Sequence, residues 1–161
     1  MRYAPCLALC ALPSLAVADT ITYGNARFGY SVTMPARFHA DPPPENGDGR
    51  RFADPEADVE ILVWAGYPLD GLAEERELRI GILRNEGADL SYMPQGDGWF
   101  VLSGTEKHGD RLFYVRAIET RDCAGGDILA NVRIAYAKTA RDRIEPVIGR
   151  ITKSLTGCAP E

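Results

Sequence analysis

The chain has 161 residues, 18 of them Lys or Arg and 23 Asp or Glu, for a formal charge of −5. That balance excludes a surface built for nucleic acid or for anionic lipid, since both are met by clustered basic side chains. The length suits one domain, with a core large enough to need no structural metal.

A short basic start, Met1-Arg2, runs into an apolar stretch from Ala4 to Val17 that ends in Ala16-Val17-Ala18. This is the pattern of a secretory signal peptide over residues 1–18, with cleavage expected between Ala18 and Asp19. The stretch holds about 14 residues where a spanning helix takes about 20, so no stable membrane insertion is expected after cleavage. Pro5 precedes Cys6 and Leu9 precedes Cys10, so neither cysteine has the small neighbour that a lipoprotein signal requires. Residues 19–161 are expected to form a single globular domain, periplasmic or secreted. Of the four cysteines, Cys123 and Cys158 remain in that domain and are expected to form one disulfide outside the cytoplasm. Their wide spacing, with no Cys-x-x-Cys, speaks for a structural bond over a redox pair.

In chain order, Thr20 to Tyr23 and Phe28 to Met34 are β-prone runs around the turn-like Gly24-Asn25-Ala26-Arg27, an opening strand pair. Pro42-Pro43-Pro44 makes a stiff surface connection. Asn46-Gly47-Asp48-Gly49 is a turn that leads into short strands at Arg50 to Ala53 and Val59 to Ala65. A helix is predicted from about Gly71 to Glu86, capped by Asp70 and left at Gly87. Leu72, Ile80 and Leu83 lie on its inner face, Leu78 and Ile82 beside it, and Glu74, Glu75, Arg76, Glu77, Arg79 and Arg84 on a solvated one. Strands follow at Asp89 to Met93, Trp99 to Glu106, Arg111 to Arg121 and Asp127 to Tyr136, joined by short Gly-containing turns that imply antiparallel neighbours. In the last, Ile128, Ala130, Val132, Ile134 and Tyr136 share one face, and Leu129, Asn131, Arg133 and Ala135 the other. The closing helix carries Ile144, Val147, Ile148, Ile151 and Leu155 at helical spacing, with Pro146 expected in its first turn and Gly157 at its end. The fold class is α+β, a mostly antiparallel sheet with helices packed on it.

The run from Tyr23 to Ser31, the segment Pro44 to Arg50, Trp99-Phe100-Val101-Leu102-Ser103-Gly104 and Val132-Arg133-Ile134-Ala135-Tyr136 resemble a family of exported proteobacterial proteins of unknown function. In element order the chain is similar to the PsbP-like fold, an α/β/α sandwich shared by photosystem accessory proteins, a nuclear import factor and envelope proteins. The resemblance implies an accessory or binding role and assigns no catalytic residue.

Several constellations invite chemistry and fail on inspection. The acidic stretch Glu45 to Glu60 suggests calcium, but setting Asp48-Gly49 at the fifth and sixth positions of an EF-hand loop puts Pro44 and Pro55 where ligands belong. Arg50 or Arg51 paired with a nearby carboxylate is the plainer account. His39 and His108 are too few for zinc beside a committed cysteine pair. Ser103 lacks the Gly-x-Ser-x-Gly elbow of a hydrolase. Glu106 and Glu119 are conceivable glycosidase carboxylates on neighbouring strands.

The aromatic residues are more suggestive. Trp64, Tyr67, Tyr92, Trp99, Tyr114 and Tyr136 carry polar tips; most are expected to pack in the core or at its edge. If some gather at one end of the sheet with Arg116 or Arg133, they form a groove for a peptide or small amphipathic ligand. Trp64, Tyr67, Tyr92, Trp99 and Arg133 are the candidate ligand-binding residues. The expected function is a periplasmic accessory or binding protein that recognises another envelope protein or a small ligand, without cofactor, metal or chemistry of its own. A small hydrolase with convergent Ser, His and carboxylate groups is the first alternative. A small-molecule carrier, with an apolar cavity between the sheet and the Leu72 to Leu83 helix, is the second.

Overall fold

A computed structural model describes residues 19–68 and 70–158. The expected signal peptide lies outside the described residues. Strands β1 (Thr20–Gly24) and β2 (Ser31–Pro35) form an antiparallel ribbon. β2 starts at Ser31 and not at Phe28 because the buried Asn25 curls the chain there. Its Oδ1 accepts from the backbone N–H groups of Arg27 (3.0 Å) and Phe28 (2.8 Å), which removes them from any ladder.

The remaining elements are β3 (His39–Ala40), β4 (Gly49–Asp54), β5 (Val59–Gly66), α1 (Leu72–Asn85), β6 (Asp89–Tyr92), β7 (Gln95–Gly96), β8 (Trp99–Thr105), β9 (Arg111–Arg121), β10 (Asp127–Ala137) and α2 (Arg141–Lys153). The sheet runs β3-β4-β5-β10-β9-β8-β6 with β7 also on β8, and its pairs are antiparallel. β10 lies in its middle and is buried on both faces, more completely than the mixed Leu129, Asn131, Arg133 and Ala135 side suggests, because α1 covers that side too. Ile128, Ala130, Val132, Ile134 and Tyr136 meet α2 residues Ile144, Ile148 and Ile151 and the ribbon residues Tyr30, Val32 and Met34 in one core. Leu129 and Ala135 meet Phe100, Leu102, Phe113, Val115 and α1 residues Ile80 and Leu83 in the other. The molecule is thus a mostly antiparallel sheet between helices.

The helix ends depart from expectation. Gly71, at φ +102°, takes the N-cap position of α1, so Asp70 stands one residue too early to cap it. At the other end Gly87 (φ +86°) donates to the Arg84 carbonyl and Ala88 to that of Leu83, a Schellman closure that requires the left-handed glycine. The charged side of α1 is not all solvated. Arg76 is 16% exposed and donates to the Met93 carbonyl at 3.1 Å, and Arg79 folds back over Trp64. Long aliphatic stems let both arginines cover the sheet. Pro146 is in the second turn of α2, where the amide it lacks would have faced the exposed Asp142 end of the helix. α2 ends at Lys153, before Leu155 and Gly157. A Cβ on Gly157 would lie 2.1 Å from Thr120 Oγ1 and 2.6 Å from the Arg121 carbonyl, so glycine serves close approach to β9 there and not helix capping.

The last residues close the ribbon. Ser31 exchanges backbone hydrogen bonds with Thr156 (2.8 and 3.0 Å), and Ser154 Oγ accepts from the Thr33 N–H at 2.8 Å. The expected disulfide joins Cys123 in the β9–β10 turn to Cys158, with Cα atoms 5.1 Å apart. No helix of the described residues is long and apolar enough to cross a membrane.

Two outcomes follow. Closing a 35-residue separation should stabilise the fold by about 4 kcal/mol in the chain-entropy model. Chemical denaturation of a Cys123→Ala, Cys158→Ala double variant should show a loss near that size; an unchanged midpoint would refute it. The second concerns alkali. Burial raises the Tyr30 phenol above its usual range, and burial with the neighbouring Glu145 pushes Tyr136 up to about 12. Both phenols hold their protons more tightly folded than unfolded. Their contribution is therefore complete below about pH 10 and falls above it by about 1.4 kcal/mol per pH unit per tyrosine. Denaturant titrations at rising alkaline pH measure that slope, and Tyr30→Phe should reduce it.

Candidate functional site

On the α1 side of the sheet an open groove of about 700 Å³ runs beside the helix. Its apolar lining comes from Leu62 and Trp64 of β5, Val115 of β9, and Ile82 and Leu83 of α1. Pro42, Pro44 and Asp48 border it from the connection before β4. β5 alternates Val59, Ile61, Val63 and Ala65 into the α2-side core, which turns Glu60, Leu62 and Trp64 to the groove. Leu62 is 37% and Ile82 43% exposed, so aliphatic surface is presented from both the sheet and the helix. Arg79 lies over the Trp64 ring at 5.0 Å. Burial pulls this guanidinium below its ordinary pKa, against the charges of Glu75 and Glu86.

Two of the arginines beside the groove, Arg51 and Arg133, are held by carboxylates, whereas Arg50, also in its lining, keeps a buried Nε without a hydrogen-bond partner among the described residues. Arg51 bonds Asp41 at 2.6 Å and Glu60 at 2.8 Å, which together raise its pKa. Arg133 bonds Glu106 and reaches Glu60 at 3.5 Å. Arg111 extends the chain of pairs from Glu106 (3.4 Å) to Asp58. One ionic row therefore crosses β4, β5, β10, β9 and the turn after β8, and its cations are already answered. A second recess of about 330 Å³ shares Leu83, Glu86 and Arg133 with the groove and carries it past the end of α1 to Lys107 and His108. The space under α1 itself is filled by Ile80, Leu83, Phe100, Leu102 and Phe113.

Of the five candidate residues, Trp64 and Arg133 meet in this groove. Trp99 and Tyr92 do not. Trp99 pairs with Ile118 and Tyr92 with Ser103, registers that turn both to the opposite face. There the Arg116 guanidinium lies 5.0 Å over the Trp99 ring, and Tyr92 is 56% exposed beside Tyr114. Tyr67 stands past the end of β5 with its ring edge-on to Phe28, centroids 5.4 Å apart. Tyr136 donates to Glu145 Oε1 at 3.2 Å and belongs to the core. The residues not foreseen are Leu62, Arg79, Ile82 and Val115. Leu62 carried a signal, since an aliphatic residue between Glu60 and Trp64 on the polar side of an alternating strand has no core to enter.

The catalytic candidates are scattered. Ser103 Oγ donates to the Phe113 carbonyl at 2.8 Å, His39 is on the edge strand β3, and His108 is exposed in the β8–β9 turn. The Glu106 N–H bonds the Arg111 carbonyl, while Glu119 lies eight residues farther along β9, about 26 Å away at the usual strand rise. Glycosidase carboxylates sit within about 10 Å of each other. In the Glu45 to Glu60 stretch three of the acids are paired: Asn46 donates to Asp48 Oδ2 (2.8 Å), buried Asp54 bonds Arg37 (3.0 Å) and Arg143 (3.2 Å), and Asp58 bonds Arg111, besides Glu60 of the ionic row. Among the described residues no three His, Cys, Asp or Glu side chains converge as a metal ion would need.

No protein-family model and no curated protein matches the chain. Solved structures do. Cyanobacterial PsbP (CyanoP) from Synechocystis superposes with a TM-score of 0.63 at 16% identity, covering 92% of this chain and 98% of that one. LpqN of Mycobacterium tuberculosis, described as involved in cell envelope biogenesis, gives 0.59 at 15%, covering 86% and 90%. The Ran-binding protein Mog1p of Saccharomyces cerevisiae gives 0.55 at 9%, covering 86% and 95%. At these identities the likeness establishes the PsbP-like fold.

The Arg79–Trp64 stack should be measurable. In a Trp99→Phe background, Arg79→Met should shift the Trp64 emission and lower stability by about 1 kcal/mol, the scale of a half-buried cation–π contact. Emission and unfolding midpoint both unchanged would mean that the stack does not persist in solution.

Proposed function

We propose that this chain is an exported binding protein that recognises an extended segment of another envelope protein in the groove beside α1, and that it performs no chemistry of its own. The observation that carries this reading is the groove itself: exposed Leu62 and Ile82 around the Trp64–Arg79 stack, in a volume within the usual range of ligand sites. Aromatic and arginine side chains at the centre of such a surface are the usual anchors of protein recognition. A polypeptide suits the lining better than a phosphate or an anionic lipid, because Arg51 and Arg133 are satisfied by Asp41, Glu60 and Glu106 and leave a mixed-charge border. The filled interface under α1 supports recognition from outside over enclosure of a carried molecule. Export rests on the leader pattern at residues 1–18, the disulfide fits that compartment, and kinship with exported proteobacterial proteins rests on the runs Tyr23 to Ser31, Pro44 to Arg50, Trp99 to Gly104 and Val132 to Tyr136. Mog1p, described as Ran-binding, supports a recognition role on this fold by analogy alone.

A photo-crosslinking side chain at Leu62, compared with one at Leu78 on the exposed side of α1, tests the reading in living cells. The expected result is one adduct specific to Leu62, whose purified partner binds Trp64→Ala at least tenfold more weakly than the native chain. Identical adducts from both positions, or a partner indifferent to Trp64→Ala, would remove the groove from the function.

A further inference from the structure

The edges of the main sheet carry the usual deterrents to strand pairing. β3 and β7 have two residues each, β3 runs into Asp41 and the prolines, and β6 opens with Asp89 and is bulged between Leu90 and Tyr92. β1 carries none of these within its length, and its one flanking charge, Asp19, lies before its first residue. Thr20-Ile21-Thr22-Tyr23-Gly24 holds no charge, no proline and no bulge, and its residues are exposed apart from the half-buried Tyr23.

The hydrogen-bond phase of the ribbon fixes where its backbone points. The Asp19 carbonyl accepts from the Ala36 N–H at 2.9 Å, and the Asn25 N–H donates to the Tyr30 carbonyl at 2.8 Å. Both are facing pairs of the β1–β2 register, so Ile21 and Tyr23 between them also turn their groups to β2. Thr20, Thr22 and Gly24 turn theirs outward, where they meet no backbone partner among the described residues. The far side of the ribbon is closed by Ser154 and Thr156. Among the described residues the ribbon therefore offers one open edge, with the backbone groups of Thr20, Thr22 and Gly24 turned toward an incoming strand.

We propose that β1 pairs antiparallel with β1 of a second copy of this chain, about a two-fold axis at Thr22. The register is self-complementary. Thr22 exchanges both of its outward bonds with Thr22 of the partner subunit, Thr20 exchanges with Gly24 of the partner subunit, and Ile21 lies opposite the partner subunit's Tyr23. No charged pair opposes like charge across this seam. The 36% of Ile21 that is exposed lies beside it, next to an aromatic ring. An isologous contact of this kind closes on itself and does not propagate. The seam lies on the ribbon and not in the α1 groove, so it stands or falls apart from the binding reading.

Sedimentation velocity on the full chain, as processed by an expression host, tests the seam from micromolar to millimolar concentration. The native chain should move from monomer to dimer, with slowed amide exchange at Thr22 and Gly24. Thr22→Pro deletes an outward N–H and no β1–β2 bond, so it should weaken the dimer at least tenfold with unchanged circular dichroism. If that variant is misfolded, Thr22→Lys, which sets like charges against each other across the axis, should do the same. A native chain still monomeric at millimolar concentration, or a dimer indifferent to the folded variants, would overturn the proposal.

Discussion

Burial of β10 on both faces is the constraint from which the other features follow. A strand with Ile128, Val132 and Ile134 on one side and Leu129 and Ala135 on the other is stable only when each side has a cover. α2 and the β1–β2 ribbon supply one, α1 the other, and β5 and β9 satisfy its backbone. Asn131 and Arg133 are the polar members of that second side. Asn131 is buried and donates to the Leu129 carbonyl, while Arg133 sits where α1 has ended and carboxylates from β5 and from the turn after β8 reach it. The groove begins where the helical cover stops.

The covers are unequal in kind. α2 turns a continuous aliphatic stripe to the sheet, whereas α1 buries Ile80 and Leu83 and completes its coverage with the stems of Arg76 and Arg79. Arginine stems laid on an aromatic ring exclude water less completely than packed aliphatics, and their heads stay near solvent. Leu62 and Ile82 remain accessible beside them as a result. A less perfect seal over half of the sheet thus produces both the mixed charge of the groove and its apolar lining.

Much of this architecture is written in local patterns. The alternation of β10, the spacing of Ile144, Ile148 and Ile151, and the single remaining cysteine pair each encode their outcome within a short stretch or by elimination. The two-residue strands β3 and β7 have no pattern to display. The direction of Arg76 and Arg79 depends on what lies beneath them, which helical periodicity alone does not contain. The site was half readable for the same reason. Trp64 and Arg133 share a face because Leu62 of β5 stands opposite Arg133 of β10, a register set by pairing between distant segments. Trp99 and Tyr92 looked equivalent as residue types, yet the β8–β9 and β6–β8 registers send them to the other side.

The closure of β2 by Ser154 and Thr156 ties the start of the domain to its end. Until those residues are present, Ser31 and Thr33 have open backbone groups, the ribbon is unsealed along both sides, and Cys123 has no bonding partner. A fragment that stops short of Ser154 therefore leaves the Thr33 N–H without its hydroxyl acceptor, Ser31 without Thr156, and Cys123 without its bond. A protease that trims the chain just past α2 would thus loosen both ends of the domain at once, since the same few residues seal the ribbon and carry the disulfide.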